Sequence, residues 1–264
     1  MRRAKRRLGQ HFLTDPRLLG RIADALGPTR DDTVLEVGAG PGGLTAALLE
    51  RAGRVVAIEK DSDLVPELRT RFPGATIVEG DALEVDWRAA AGPQLLVTGN
   101  IPYNITSPLI DKALEPPRPK RIVFLVQLEV AERVTARPGT PEYGALSVGV
   151  QAVARAERLF TVPAGAFRPR PKVDSAVLRL VPLETPLVGD AEVRAFRRLV
   201  VGLFGFRRKQ LLRGLRELTG WAAPPLEELL GRLDIPASLR PEVVAPEGFV
   251  RLLRALVDGG WRVG

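Results

Sequence analysis

The 264-residue sequence predicts an α/β protein in which a mostly parallel sheet is followed by a small, all-helical C-terminal domain. Short β-branched apolar runs stand at Val34–Val37, Val55–Glu59, Ala75–Glu79, Leu95–Thr98 and Ile122–Gln127. Between most of them lie segments with helical apolar spacing, such as Leu44–Arg51, Leu64–Arg71 and Pro108–Leu114. That alternation marks βαβ units and a sheet covered on both faces. Beyond the stretch Val181–Asp190, with its two prolines, only helical spacing recurs.

The rhythm changes after Glu129. Val148–Val153 and Val173–Leu180 read as two later strands flanking the proline-rich segment Phe160–Pro171, and a hairpin on the sheet edge accounts for both. Val181–Asp190 reads as a linker. The amphipathic segments Glu192–Leu203, Arg208–Leu218, Leu226–Leu233 and Pro246–Val257 then build the second domain. The expected division is residues 1–184 for the sheet domain with a basic N-terminal arm, and 185–264 for the helical domain.

Composition narrows the chemistry. The chain has no cysteine and a single histidine, His11. Disulfides, thiolate catalysis and Cys-ligated metal are excluded, and a Ser-His-Asp triad or multi-His metal site is not expected. Carboxylates, amides, aromatics and backbone groups must do the work, without metal. The formal charge of +8, from 39 basic against 31 acidic residues, favours a polyanionic partner. No apolar run reaches the roughly 20 residues of a membrane span, and the basic start lacks the apolar stretch of a secretion signal. A cytoplasmic chain without membrane contact, acting as a monomer, is expected.

The first functional signal is Val34-Leu-Glu-Val-Gly-Ala-Gly-Pro-Gly-Gly-Leu-Thr45, a strand, a glycine turn and a helix start. Gly38, Gly40 and Gly43 satisfy G-x-G-x-x-G, and Glu59 ends the next strand, where a carboxylate can accept both ribose hydroxyls of an adenosine. Dinucleotide and S-adenosylmethionine enzymes share this pattern. Asp81, in Gly80-Asp-Ala-Leu83 after the third strand, falls at the carboxyl edge where ligands of open α/β sheets sit. It can accept from an adenine amino group, with the Ala82 N–H facing the ring. The plainer role for Asp81 is a turn or helix cap.

The second signal is Gly99-Asn-Ile-Pro-Tyr103 after the fourth strand. An adenine exocyclic amine is a poor nucleophile because its lone pair is delocalised into the ring. Acceptors aimed at both its hydrogens draw the nitrogen towards tetrahedral geometry and free that pair. The Asn100 side-chain oxygen and the Ile101 carbonyl are the candidates, with Pro102 fixing the backbone. Tyr103 offers a flat surface for the base, and such stacking contributes about 1–3 kcal/mol. No general base of unusual pKa is required, so catalysis is mainly positioning and electrostatics. The base must arrive unstacked. Phe167, in the loop Phe167-Arg-Pro-Arg-Pro-Lys-Val-Asp-Ser175, is a candidate for the other wall of the slot. Its alternative is an anchor packing that loop onto the core.

Taken in order, Leu8-Gly-Gln-His-Phe-Leu13, Glu36–Gly42, Glu59, Gly80–Ala82, Asn100–Tyr103, Phe167–Ser175 and Phe206-Arg-Arg-Lys-Gln-Leu211 resemble the KsgA family of small-subunit ribosomal RNA adenine dimethyltransferases. The resemblance covers nearly the whole chain and implies a Rossmann-like S-adenosylmethionine methyltransferase sheet. It implies that His11 and Leu13 border the cofactor together with Gly38, Gly40, Glu59, Asp81, Ala82 and Asn100. Many relatives carry asparagine where His11 stands. It further implies two adjacent adenines near the 3′ end of small-subunit RNA as substrates, each methylated twice during ribosome assembly. Large-subunit adenine dimethyltransferases of the macrolide-resistance type share the pocket, and an RNA-binding assembly factor is the non-enzymatic alternative. A DNA adenine methyltransferase fits less well, since no separate base-reading domain is evident.

Basic residues supply the candidate RNA contacts. Arg207, Arg208, Lys209, Arg213 and Arg216 cluster at an expected helix start, where Lys209, Arg213 and Arg216 recur along one face. Arg168 and Arg170 flank Phe167 and are placed to guide a strand past the pocket. Arg2, Arg3, Lys5, Arg6 and Arg7 form an expected arm that orders on RNA.

Overall fold

The computed structural model describes residues 10–262, so the expected basic arm lies outside the described residues. The chain forms two compact units, Met1–Ala131 with Arg155–Pro182, and Glu132–Ala154 with Leu183–Gly264.

The first unit is built on a sheet of β2 (Thr33–Val37), β3 (Arg54–Glu59), β4 (Ala75–Glu79), β5 (Leu95–Asn100), β6 (Arg121–Gln127), β7 (Ala154–Val162) and β9 (Ser175–Pro182). Their spatial order is β4-β3-β2-β5-β6-β9-β7. Strands β4 to β6 run parallel, and β9 pairs antiparallel with β6. The inner strands are buried almost throughout, whereas β4 and β7 at the edges each leave residues exposed. The continuous Val/Ile/Leu runs have this cause: strands covered on both faces have no polar side.

Helices α1 (Pro16–Leu26), α2 (Gly43–Leu49), α3 (Val65–Arg71), α4 (Trp87–Ala91) and α5 (Thr106–Ala113) belong to this unit. The first is started by Asp15, whose carboxylate accepts from the N–H groups of Arg17 and Leu18. It is stopped by Gly27 in the left-handed region, φ 61°. A second, two-stranded sheet pairs β1 (Phe12–Leu13) with β8 (Phe167–Arg168). From β2 the chain proceeds to β3 and β4 on one side, then returns to β5 on the other. The carboxyl ends of β2 and β5 therefore part into a crevice, the usual ligand position in such sheets.

Helix α6 (Leu128–Thr135) contains the boundary between the units. The second unit holds α7 (Ala145–Gln151), α8 (Val193–Gly205), α9 (Leu211–Thr219), α10 (Ala223–Arg232) and α11 (Pro246–Asp258). The division expected at 184/185 placed 132–154 with the sheet, but here that segment belongs to the helical unit. Tyr143 accounts for this. Its ring is fully buried beside Phe204, its hydroxyl donates to the Val244 carbonyl at 2.9 Å, and Phe204 packs on Phe249.

Two secondary-structure expectations are corrected. Val148–Val153 is not a strand: most of it belongs to α7, where Ser147 Oγ accepts from the Gly144 N–H, and the strand begins at Ala154. The helix α9 begins at Leu211 rather than Arg208, so Lys209 sits in the preceding turn and shares no helix face with Arg213 and Arg216.

Candidate active site

A solvent-open cleft lies at the carboxyl ends of β2 and β5. The glycine loop makes one wall. Gly38, Gly40 and Gly42 all have positive φ (75°, 56° and 84°), a backbone that side-chain-bearing residues rarely adopt. At Gly40 there is a second reason: an added Cβ would stand 3.0 Å from the Phe12 ring. The loop is held from below, since Gly38 N–H donates to the Ile58 carbonyl and Gly40 N–H donates to Glu59 Oε2 at 2.7 Å. Glu59 Oε1 accepts from the Asp61 N–H, also at 2.7 Å. Glu59 is thus a buried carboxylate fixed by backbone donors, with acceptor capacity remaining on both oxygens.

The opposite wall is Asn100–Tyr103 with Asn104 and Ile105. It comes close to the glycine loop because Gly99 has no side chain: a Cβ there would lie 2.3 Å from the Val37 carbonyl. Asn100 is half-buried, and its Nδ2 donates to the His11 carbonyl at 2.7 Å. A carbonyl only accepts, so the carboxamide nitrogen must face His11 and leave Oδ1 as the available acceptor. The Ile101 N–H donates to the Leu125 carbonyl, which fixes the peptide that follows Asn100. The Tyr103 hydroxyl meets Ser175 Oγ at 2.8 Å, and the His11 ring stacks beside Tyr103 at 5.6 Å, tilted by 25°. His11 Nδ1 lies 2.8 Å from the Pro169 carbonyl.

The cleft thus joins a glycine turn, a buried carboxylate and an Asn-Ile-Pro-Tyr wall. A family model described as ribosomal RNA adenine dimethylase matches residues 1–224. The chain belongs to that family. A ribosomal RNA small subunit methyltransferase A of Geobacter metallireducens is 42% identical over 267 residues, covering 98% of this chain and 97% of that one. A dimethyladenosine transferase from Plasmodium falciparum superposes with a TM-score of 0.83 at 28% identity, covering 95% and 99% of the two chains. The 23S ribosomal RNA methyltransferase ErmE does so at 0.72 and 30%, covering 93% and 99%.

Most residues singled out from sequence meet in this dimethylase cleft: His11, Gly38, Gly40, Glu59, Asp81, Ala82, Asn100, Ile101, Pro102 and Tyr103 all line it. Asp81 is already engaged, with Oδ1 accepting from the Leu83 N–H and Oδ2 2.5 Å from Lys60 Nζ. The Lys60 ammonium holds its carboxyl below the usual range, with the Leu83 N–H acting in the same direction. Ala82 is fixed by Trp87, whose indole N–H donates to its carbonyl.

Phe167 and Leu13 are corrections. Phe167 is fully buried in a core cluster with Leu13, Leu19 and Val177, and does not line the cleft. It anchors its loop instead of closing a base slot. Leu13 joins the same cluster, while its neighbour Phe12 lines the cleft, because successive strand residues point to opposite faces. Sequence reasoning missed Phe12, Gln10 and Lys60. The alternation of a Phe-Leu pair and the adjacency of Lys60 to Glu59 were the available signals.

The basic candidates differ in how they are held. Arg207 donates to Glu242 at 2.8 Å and to the Pro141 carbonyl, and Arg168 donates to the Gly165 and Phe167 carbonyls of its own loop. Arg170, Arg208, Lys209 and Arg213 are exposed. Among the described residues no group of three or more His, Cys, Asp or Glu could hold a metal, and no helix is long and apolar enough to cross a membrane.

Beneath the loop, Glu36 is buried and accepts from Thr45 Oγ1 at 2.6 Å. Burial pushes its pKa up to about 8, against the lowering effect of the Thr45 hydroxyl and with a further upward push from Glu59. Burial also raises Glu59, opposed by the Asp61 and Gly40 N–H groups. A raised folded-state pKa means that the native state holds a proton the unfolded chain has released. Its stabilising effect is complete below the unfolded value of 4.5 and is lost as pH rises through about 8. Melting temperatures should therefore fall from pH 5 to pH 9 more steeply in the wild type than in Glu36→Gln, which carries no proton to lose. Parallel curves for the two proteins would contradict this.

Proposed function

We propose that the chain dimethylates the exocyclic amine of two adjacent adenines near the 3′ end of small-subunit ribosomal RNA, using S-adenosylmethionine, during ribosome assembly. The observation that carries the proposal is the commitment of Asn100 Nδ2 to the His11 carbonyl, which leaves Oδ1 as an acceptor in the cleft beside the glycine loop. Asn100 Oδ1 and the Ile101 carbonyl take the two amine hydrogens, Pro102 holds the backbone, and Tyr103 stacks on the base. S-adenosylmethionine, when bound, supplies an electrophilic methyl on a sulfonium. The positive-φ glycines and the buried Glu59 suit an adenosine-bearing group: the backbone can approach it and the carboxylate can accept from its ribose. His11, Gly38, Gly40, Glu59, Asp81, Ala82 and Asn100 would hold it. The methylated nitrogen releases its proton to solvent, so no side chain of special pKa is needed.

The small-subunit assignment is supported by the 42% identity, over 98% of this chain, to a small-subunit methyltransferase. We assign the catalytic role to the sheet unit, Met1–Ala131 with Arg155–Pro182, and the RNA-binding role to the helical unit, in a chain acting as a monomer. Exposed Arg170, Arg208, Lys209 and Arg213 contact phosphates, and Arg168 and Arg207 shape the segments that present them. Each phosphate contact contributes about 0.7–0.9 to the slope of log affinity against log salt. Replacing Arg208, Lys209 and Arg213 together by alanine should flatten that slope by about 2 to 3. An unchanged slope would remove them from the RNA interface.

The test of function is incubation of small-subunit particles and, separately, of large-subunit RNA, both lacking adenine methylation, with labelled S-adenosylmethionine, followed by nucleoside mapping. The expected product is N6,N6-dimethyladenosine at two adjacent positions near the 3′ end. Label confined to large-subunit RNA would favour the macrolide-resistance activity. Absence of label in either RNA would contradict the enzyme reading.

A further inference from the structure

Tyr103 opens a three-residue 3-10 turn, Tyr103–Ile105, and has little regular backbone of its own to fix its ring. The ring is fixed from elsewhere. Its hydroxyl is tied at 2.8 Å to Ser175 Oγ, and Ser175 is fully buried at the first position of β9, in register with Gln127 of β6. The preceding residue is fastened too: Asp174 Oδ1 accepts from the Ala164 N–H at 2.9 Å, and its carbonyl accepts from the Leu128 N–H. The tip of the aromatic ring is therefore referenced to the central sheet, 72 residues away in sequence, and not to its own turn.

We infer that Ser175 is a positioning residue which, through Tyr103, sets the plane of the target base and governs above all the second of the two methyl transfers. The inference rests on the proposed function. In the first transfer the amine has two N–H groups, one for Asn100 Oδ1 and one for the Ile101 carbonyl, and these alone define its position closely. After it, one hydrogen has been replaced by a methyl, one acceptor has lost its partner, and the amine must rotate to present its lone pair again. Stacking on Tyr103 then carries a larger share of the positioning. A ring with a free tip tilts over a wider range, because its χ2 well is broad. Displacement of the reacting nitrogen by about 1 Å can cost on the order of 100-fold in rate. Loss of the Ser175 tie therefore shifts the product from dimethyl- towards monomethyladenosine.

The test is single-turnover methylation of unmethylated small-subunit particles by the full-length chain, with the mono- to dimethyladenosine ratio read by nucleoside analysis. Melting temperature and the affinities for particles and S-adenosylmethionine are measured alongside. Ser175→Ala should raise that ratio about fivefold or more and slow the first transfer by less than about threefold, with both affinities unchanged. Tyr103→Phe removes the same hydrogen bond from its other end and leaves Ser175 untouched, so it should give the same shift even where Ser175→Ala folds poorly. The double variant should be no worse than either single one. A wild-type ratio in both single variants, or effects that multiply in the double variant, overturns the inference. A wild-type chain that methylates no adenine overturns the functional reading and this inference with it, whereas a dimethylating wild type matched by both variants overturns only the latter.

Discussion

Replacing Asn100 by alanine should lower the rate of methyl transfer by about 10²–10³-fold, the usual effect of removing one fixed polar group aimed at developing charge. Two things are lost together. Oδ1 no longer takes an amine hydrogen, so the nitrogen lone pair stays in the ring. The Nδ2 bond to the His11 carbonyl also goes, and with it the tie between β5 and the segment leading into β1. Binding of RNA should persist, because the proposed phosphate contacts are made by other residues. Asn100→Asp is the sharper probe: it keeps an oxygen facing the cleft but cannot donate to His11, and its carboxylate would face a carbonyl at the present 2.7 Å spacing. It should be nearly as inactive as the alanine variant. Measurement of kcat and of RNA affinity for both checks this: full activity in the alanine variant would dismiss Asn100 from the chemistry, and full activity in the aspartate variant would dismiss the tie to His11.

Gly99→Ala should have an effect of similar size by a different route. Its Cβ would fall 2.3 Å from the Val37 carbonyl and 3.0 Å from Ile101 Cδ1. The first of these is backbone and cannot rotate away, so β2 and β5 must part where the glycine loop and the Asn100 wall face each other. Overpacking of this kind costs about 1–3 kcal/mol of stability. The larger loss is in activity, because a shift of about 1 Å between a donor's methyl and the amine is enough for about 100-fold. Gly165→Ala is the control, since a Cβ there meets nothing within 4 Å. Denaturant melts and methyl-transfer rates for the pair test the account. Wild-type activity in Gly99→Ala would show that the close approach of the two strands is not needed.

The sheet was legible because its inner strands are buried on both faces, which leaves continuous β-branched runs. The cleft was legible because its residues stand at strand ends, where topology dictates what they face. Misreadings arose where neither rule applies. Val148–Val153, apolar but for Gln151, fits helix or strand alike, and the cap on α7 depends on Ser147, whose partners include Gly144 and the Arg133 carbonyl. Phe167 reads from sequence as a loop residue, and nothing in a proline-stiffened stretch says whether its aromatic turns inward or outward. The pairing of Phe167–Arg168 with Phe12–Leu13 decides it, and that contact joins residues far apart in sequence. The attachment of 132–154 to the helical unit likewise depends on Tyr143 reaching Val244, 101 residues away.

The central claim concerns where one nitrogen sits, and the most direct measurement is a crystal structure of the chain with S-adenosylhomocysteine and an RNA carrying the target adenines. The account predicts the adenine N6 within about 2.7–3.2 Å of both Asn100 Oδ1 and the Ile101 carbonyl oxygen, the ordinary hydrogen-bond range, with the base flat against Tyr103. An adenine bound elsewhere, or one whose amine faces neither oxygen, would contradict it.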